Sequence, residues 1–166
     1  MGSAGRRIWA GEDREGSGGP RPRPGAESTA RSAKPQRILI VEDEAIVAMS
    51  LGTAIEQFGH EVVGTVATGR GAVAEAARLE PDVLVMDVRL ADAVDGISAA
   101  EQILAERAVA LVFVTAYSDQ ATVERIRQLG AAFIAKPVGA EALRKAIEAA
   151  RPGRRPPAPG MGRSSN

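Results

Sequence analysis

The chain has 166 residues, enough for one ordinary domain and too few for two of comfortable size. It contains no cysteine, which excludes disulfides and thiolate metal sites, and no apolar run approaches the roughly 18 residues of a membrane span. The formal charge of zero hides an uneven distribution: residues 1–36 carry seven basic and four acidic residues, residues 151–166 four and none, and residues 37–150 ten and seventeen. An acidic body with basic ends argues against a nucleic-acid-binding domain.

Residues 1–36 are rich in Gly, Pro, Ser and Arg and have no hydrophobic period. Such a segment cannot bury enough apolar surface to offset the entropy of ordering, so it is expected to be disordered. Arg6 and Arg7 suggest a twin-arginine export signal, but GEDREGSGGP follows soon after and supplies no apolar core. A cytoplasmic location is therefore the expectation. The basic stretch 151–166 reads as a second disordered tail, which leaves 37–150 as the folded part.

Within that part, short apolar runs alternate with helical patterns. RILIV (37–41), EVVGTV (61–66), DVLVM (82–86), ALVFV (110–114) and AFIA (132–135) have strand length and many β-branched residues. After the first run, Val47, Leu51, Ala54, Ile55 and Phe58 mark a helical face, and Gly59 sits where a helix-ending glycine belongs. His60, the only histidine, follows in a turn and is expected to face solvent. Val73, Ala76 and Ala77 mark the second helix, and Ile97, Ala100, Ile103 and Leu104 the third. Val123, Ile126 and Leu129 mark the fourth, with Ser118 as its expected N-cap and Gly130 at its end. Leu143, Ala146 and Ile147 complete the fifth. Five β-α units predict an α/β fold, a doubly wound parallel sheet with helices on both faces. The flavodoxin-like order 2-1-3-4-5 puts a ligand crevice at the carboxyl ends of strands 1 and 3.

Both of those strands end in acids. RILIV runs into Glu42, Asp43 and Glu44, and DVLVM into Asp87. One acid at a strand end is usually turn or cap chemistry. Clustered carboxylates repel one another, and a hard divalent cation relieves that repulsion; Mg2+, which keeps several waters, suits Glu42, Asp43 and Asp87. Two further strand ends change the weighing. The fourth strand delivers the Thr115 hydroxyl to the crevice and the fifth the Lys136 ammonium, followed by Pro137. A lone Thr is a cap and a lone Lys a solvated charge. Together, metal, nucleophilic carboxylate, hydroxyl and cation form a set for phosphoryl transfer, where positioning and charge neutralisation do most of the work.

This ordered set resembles the receiver domain of response regulators in two-component systems, over about residues 37–150. The resemblance implies that Asp87 is the phosphoacceptor. It makes Glu42, Asp43, Asp87 and the backbone carbonyl of Arg89 the Mg2+ ligands, with Thr115 and Lys136 on the phosphoryl group. It further implies a cis peptide bond before Pro137 and a switch formed by Thr115 and Phe133. The expected donor is a sensor histidine kinase or a histidine phosphotransfer protein, and the expected output an unidentified protein partner. A monomer, or a weak dimer through the fourth helix, fifth strand and fifth helix, is expected, with no direct DNA binding and no membrane. On this reading the chain is not an enzyme, because phosphotransfer and dephosphorylation occur only on its own Asp87.

Two alternatives share parts of this pattern. Haloacid-dehalogenase-like phosphatases share similar groups but carry the nucleophile on the first strand and the acidic pair last, opposite to the order here. A receiver-fold interaction module independent of phosphate is the other alternative, and the intact set of five residues argues against it. The stretch VRLADAVDGI after Asp87 departs from the commoner receiver pattern: it lacks proline and is one residue longer. A similar loop occurs in receivers that work with particular kinase subfamilies or in general stress signalling.

Overall fold

A computed structural model describes residues 34–152 apart from Ser118. The expected disordered tails therefore lie outside the described residues, except for 34–36 and 151–152. Five strands and five helices alternate: β1 (Arg37–Val41), α1 (Ala45–Gln57), β2 (Glu61–Val66), α2 (Gly69–Leu79), β3 (Val83–Met86), α3 (Gly96–Glu106), β4 (Ala110–Thr115), α4 (Gln120–Gln128), β5 (Ala132–Ala135) and α5 (Ala140–Ala149). All strand pairs are parallel, in the order β2-β1-β3-β4-β5. This is the flavodoxin-like order expected from the sequence.

Strand residues alternate between two cores, as the period of a strand requires. Leu39, Val41, Leu84, Met86, Leu111 and Phe113 face α2, α3 and α4. Ile38, Ile40, Val83, Val85, Val112 and Val114 face α1 and α5. Burial on both faces explains why β3 is apolar throughout, β1 from Ile38 onward and β4 up to Val114. At the edge, the β1–β2 register shifts between Ile38 and Leu39. Gly64 lies there, and a Cβ in its place would come within 2.9 Å of Leu79 Cδ1.

The helix ends combine expected and unexpected residues. Gly59 and Gly130 adopt φ of 83° and 69°, the left-handed conformation for which glycine carries no penalty. α2 instead ends on Glu80 at φ 48°. Ser118 lies outside the described residues; Asp119 is the cap of α4, accepting from the Thr122 N–H at 3.0 Å.

Two expectations are corrected. His60 is buried at 8% exposure, because the Gln36 N–H donates to its Nδ1 at 3.3 Å while the Gln36 carbonyl accepts from Glu61 N at 2.9 Å. The residue before β1 thus folds over the turn. On α2 the inward alanines are Ala72 and Ala76, and Ala77 is exposed. The period was correct there, but the face is rotated toward the i, i+4 pair.

Candidate functional site

Parallel pairing brings the carboxyl ends of the central strands level. Val41 pairs with Met86, and the Asp87 N–H continues the ladder to the Val41 carbonyl at 2.9 Å. The Lys136 N–H does the same to the Thr115 carbonyl at 3.0 Å. The ends of β1, β3 and β5 therefore deliver Glu42, Asp43, Asp87 and Lys136 to one crevice. Glu42, Asp43 and Asp87 each offer a carboxylate oxygen, and these lie within 4.8 Å of one another. Glu42 and Asp87 are buried at 2% and 7% exposure, while Asp43 faces solvent.

Lys136 joins the two buried acids. Its Nζ donates to Asp87 Oδ2 at 2.7 Å and lies 2.8 Å from Glu42 Oε2, with Glu44 Oε1 at 3.8 Å. Among the described residues the Lys136 ammonium is the one close partner of the buried Glu42 Oε2. The Lys136–Pro137 peptide bond is cis. Thr115 is fully buried, and its Oγ1 accepts from the Tyr117 N–H at 3.2 Å. That bond leaves the hydroxyl proton available to another acceptor.

The charges are unbalanced. Burial raises the Glu42 carboxyl above its ordinary value; the Asp87 charge adds to this and Lys136 opposes it. Burial also works against the Lys136 ammonium, but the hydrogen bond to Asp87 and the attraction of Glu42 outweigh it and hold its pKa above the ordinary value. One cation cannot neutralise three clustered carboxylates. Hard oxygen donors, an excess of negative charge and an exposed Asp43 together fit a hard divalent cation bound partly by water.

Arg89 is exposed, and its guanidinium lies 4.0 Å from the centroid of the Tyr117 ring, a cation–π distance. Its N–H donates to Asp87 Oδ1 at 3.2 Å. Phe133, opposite Phe113 on β4, is half-buried against the α2–α3–α4 core rather than beside the acids. Glu44, given no role from the sequence, and Asp92, unnamed there, both make contacts at the borders of the site. Glu44 reaches toward Lys136 from the start of α1. Asp92 accepts from the first two N–H groups of α2. The extra residue in its loop was the available signal, but nothing local indicates which helix an acid in that loop reaches.

Residues 38–148 match the family model of the response regulator receiver domain. The transcriptional regulatory protein PdtaR of Mycobacterium tuberculosis (strain H37Rv) is 40% identical over 127 residues, covering 76% of this chain and 62% of PdtaR. The chain thus spans less than two thirds of that relative's length. The chemotaxis protein CheY of Thermotoga maritima is 36% identical over 104 residues, 61% of this chain and 86% of CheY. Among solved structures, the receiver domain of the PhyR response regulator from Erythrobacter litoralis superposes with a TM-score of 0.60 at 31% identity, over 69% of this chain and 88% of that one. Among the described residues no helix is long and apolar enough to cross a membrane.

Proposed function

Because the chain belongs to the response regulator receiver domain family, we propose that it takes a phosphoryl group onto Asp87 and changes its partner binding in response. The observation that carries this reading is the convergence on Asp87, where Lys136 sits at 2.7 Å and Glu42 and Asp43 offer oxygens within 4.8 Å. An Asp87 carboxylate oxygen attacks the phosphorus of a phosphohistidine. A new O–P bond forms, the P–N bond breaks, and the departing imidazole takes up a proton. Glu42, Asp43, Asp87 and the Arg89 carbonyl would hold Mg2+, which supplies positive charge to the transferring phosphoryl oxygens. Lys136 neutralises the same charge from the other side, and the Thr115 hydroxyl donates to a phosphoryl oxygen. The chemistry is confined to the chain's own aspartate, with water later removing the phosphoryl group.

The switch follows from Thr115. Movement of its hydroxyl toward a phosphoryl group draws on β4 and the segment through Tyr117, and Phe133 repacks on β5 beside it. The face of α4, β5 and α5 changes with them, a population shift between two packings. The donor is a sensor histidine kinase or a histidine phosphotransfer protein. The output is a protein partner, met by a monomer or by a weak dimer formed through the same face.

Transfer from a histidine donor tests this directly. A kinase domain carrying labelled phosphohistidine should lose label to the wild-type chain when Mg2+ is present, and lose none to Asp87→Asn. Label accepted equally by Asp87→Asn would refute the assignment.

A further inference from the structure

The loop between Asp87 and α3 borders the site and is gripped from an unexpected direction. An α-helix begins with backbone N–H groups that have no partner inside the helix. In α2 the unpartnered groups are those of Gly69, Arg70 and Gly71, since the Ala72 N–H already reaches the Thr68 carbonyl at 2.9 Å. Thr68 Oγ1 accepts from Gly71 at 3.0 Å. The other two go to Asp92, whose Oδ1 accepts from Gly69 at 2.9 Å and whose Oδ2 accepts from Arg70 at 3.2 Å. The Ala91 N–H donates to the Ala67 carbonyl at 3.3 Å. Gly69 has no side chain where Val94 packs, and a Cβ there would overlap the Val94 carbonyl. These N–H bonds hold the Asp92 carboxyl below the ordinary range, as suits an acid at the positive end of a helix.

The start of the loop is held by the bond from Arg89 N–H to Asp87 Oδ1, and its two ends are joined by Gly96 N–H to the Val88 carbonyl at 2.8 Å. The middle of the loop is tied to α2 through Asp92. We propose that Asp92 is a positioning residue for the acidic site: by gripping the start of α2 it sets the path of residues 88–95, and with it the Arg89 carbonyl. This inference rests on the Mg2+ site assigned above. Coupling between two sites is reciprocal, so a cation that orders the loop must also tighten the N-terminus of α2. Metal occupancy at Asp87 is thereby felt on the α2 side of the sheet as well as on the α4–β5–α5 side.

The two caps on α2 supply an internal control. Thr68→Ala removes a cap from the same helix without touching the loop, whereas Asp92→Ala removes the loop's grip; Asp92→Asn keeps one acceptor. Mg2+ is titrated into the full chain and followed by backbone amide shifts in NMR, with hydrogen exchange at Gly69 and Arg70 as a second readout and no phosphodonor present. Losing a group that orients a metal ligand costs about 10–100-fold in affinity; acting through one further link, Asp92→Ala should weaken Mg2+ binding about 3–10-fold. Asp92→Asn should fall between, and Thr68→Ala should stay close to wild type. Mg2+ should slow exchange at Gly69 and Arg70 in the wild type and not in Asp92→Ala. Unchanged affinity in Asp92→Ala, or an equal loss in Thr68→Ala, overturns the positioning role alone. A wild-type chain that binds no Mg2+ overturns the site assignment and the positioning role together.

Discussion

Replacing Lys136 with methionine keeps the length of the side chain and removes the charge shared by Glu42 and Asp87. At 2.7 and 2.8 Å, each attraction is worth about 6 kcal/mol at an effective dielectric constant near 20. The two acids, left alone within 4.8 Å, repel by about 3.5 kcal/mol on the same scale. The full loss is not realised, because a carboxyl can take up a proton instead. Protonating a group of ordinary pKa 4.5 at pH 7 costs about 3.4 kcal/mol, at 1.36 kcal/mol per pH unit. One protonation offsets only part of the loss, so destabilisation in metal-free buffer should be about 3–5 kcal/mol at pH 7, or roughly 10–20 °C in melting temperature for a domain of this size. At pH 5 the same route costs only about 0.7 kcal/mol, so the defect should shrink by most of its value. Urea unfolding at the two pH values in chelator, then in Mg2+, measures it, and Mg2+ should recover much of the loss at pH 7. A defect equal at both pH values, or untouched by Mg2+, would refute the electrostatic reasoning.

Other substitutions test other links. Glu42→Gln should stabilise the metal-free protein at neutral pH. The folded pKa of Glu42 lies above its unfolded value, so the folded state binds the proton more tightly and stability falls as pH rises from about 4.5 through the folded pKa. A pH series of urea midpoints should show that fall in the wild type and a flatter profile in Glu42→Gln. Gly96→Ala should destabilise by about 2–4 kcal/mol, because a Cβ there overlaps the Asp87 carbonyl and comes within 3.0 Å of Met86 Cγ; thermal unfolding followed by circular dichroism reads it. Glu80→Gly should stabilise by about 0.5–1 kcal/mol, since Glu80 occupies a left-handed conformation at φ 48° that glycine adopts without penalty. A midpoint lower than wild type would mean that the Glu80 side chain holds the turn.

What the sequence made legible is what local pattern controls. β1, β2 and β5 were readable to the residue, because β-branched runs stop at turn residues or charges. β3 begins one residue later than its pattern, since Asp82 is exposed and accepts the Arg37 N–H on its Oδ2 at 2.9 Å. β4 runs one residue further, through Thr115. The convergence of Glu42, Asp43, Asp87 and Lys136 was legible because strand order alone brings those ends together. His60, Asp92 and Ala77 were not. Burial of His60 depends on Gln36, 24 residues away in sequence, and Asp92 meets an amide 23 residues away. No local signal encodes such meetings, and a helix with adjacent alanines at Ala76 and Ala77 leaves its inward face ambiguous by one position.

The central claim is that Asp87 is the residue that takes the phosphoryl group. Intact mass after incubation with acetyl phosphate, with and without Mg2+, on wild type and Asp87→Asn, tests it most directly. A single phosphoryl adduct that needs Mg2+ and disappears in Asp87→Asn is the predicted result. An adduct that persists in Asp87→Asn, or a folded wild-type chain that takes none, would contradict the claim.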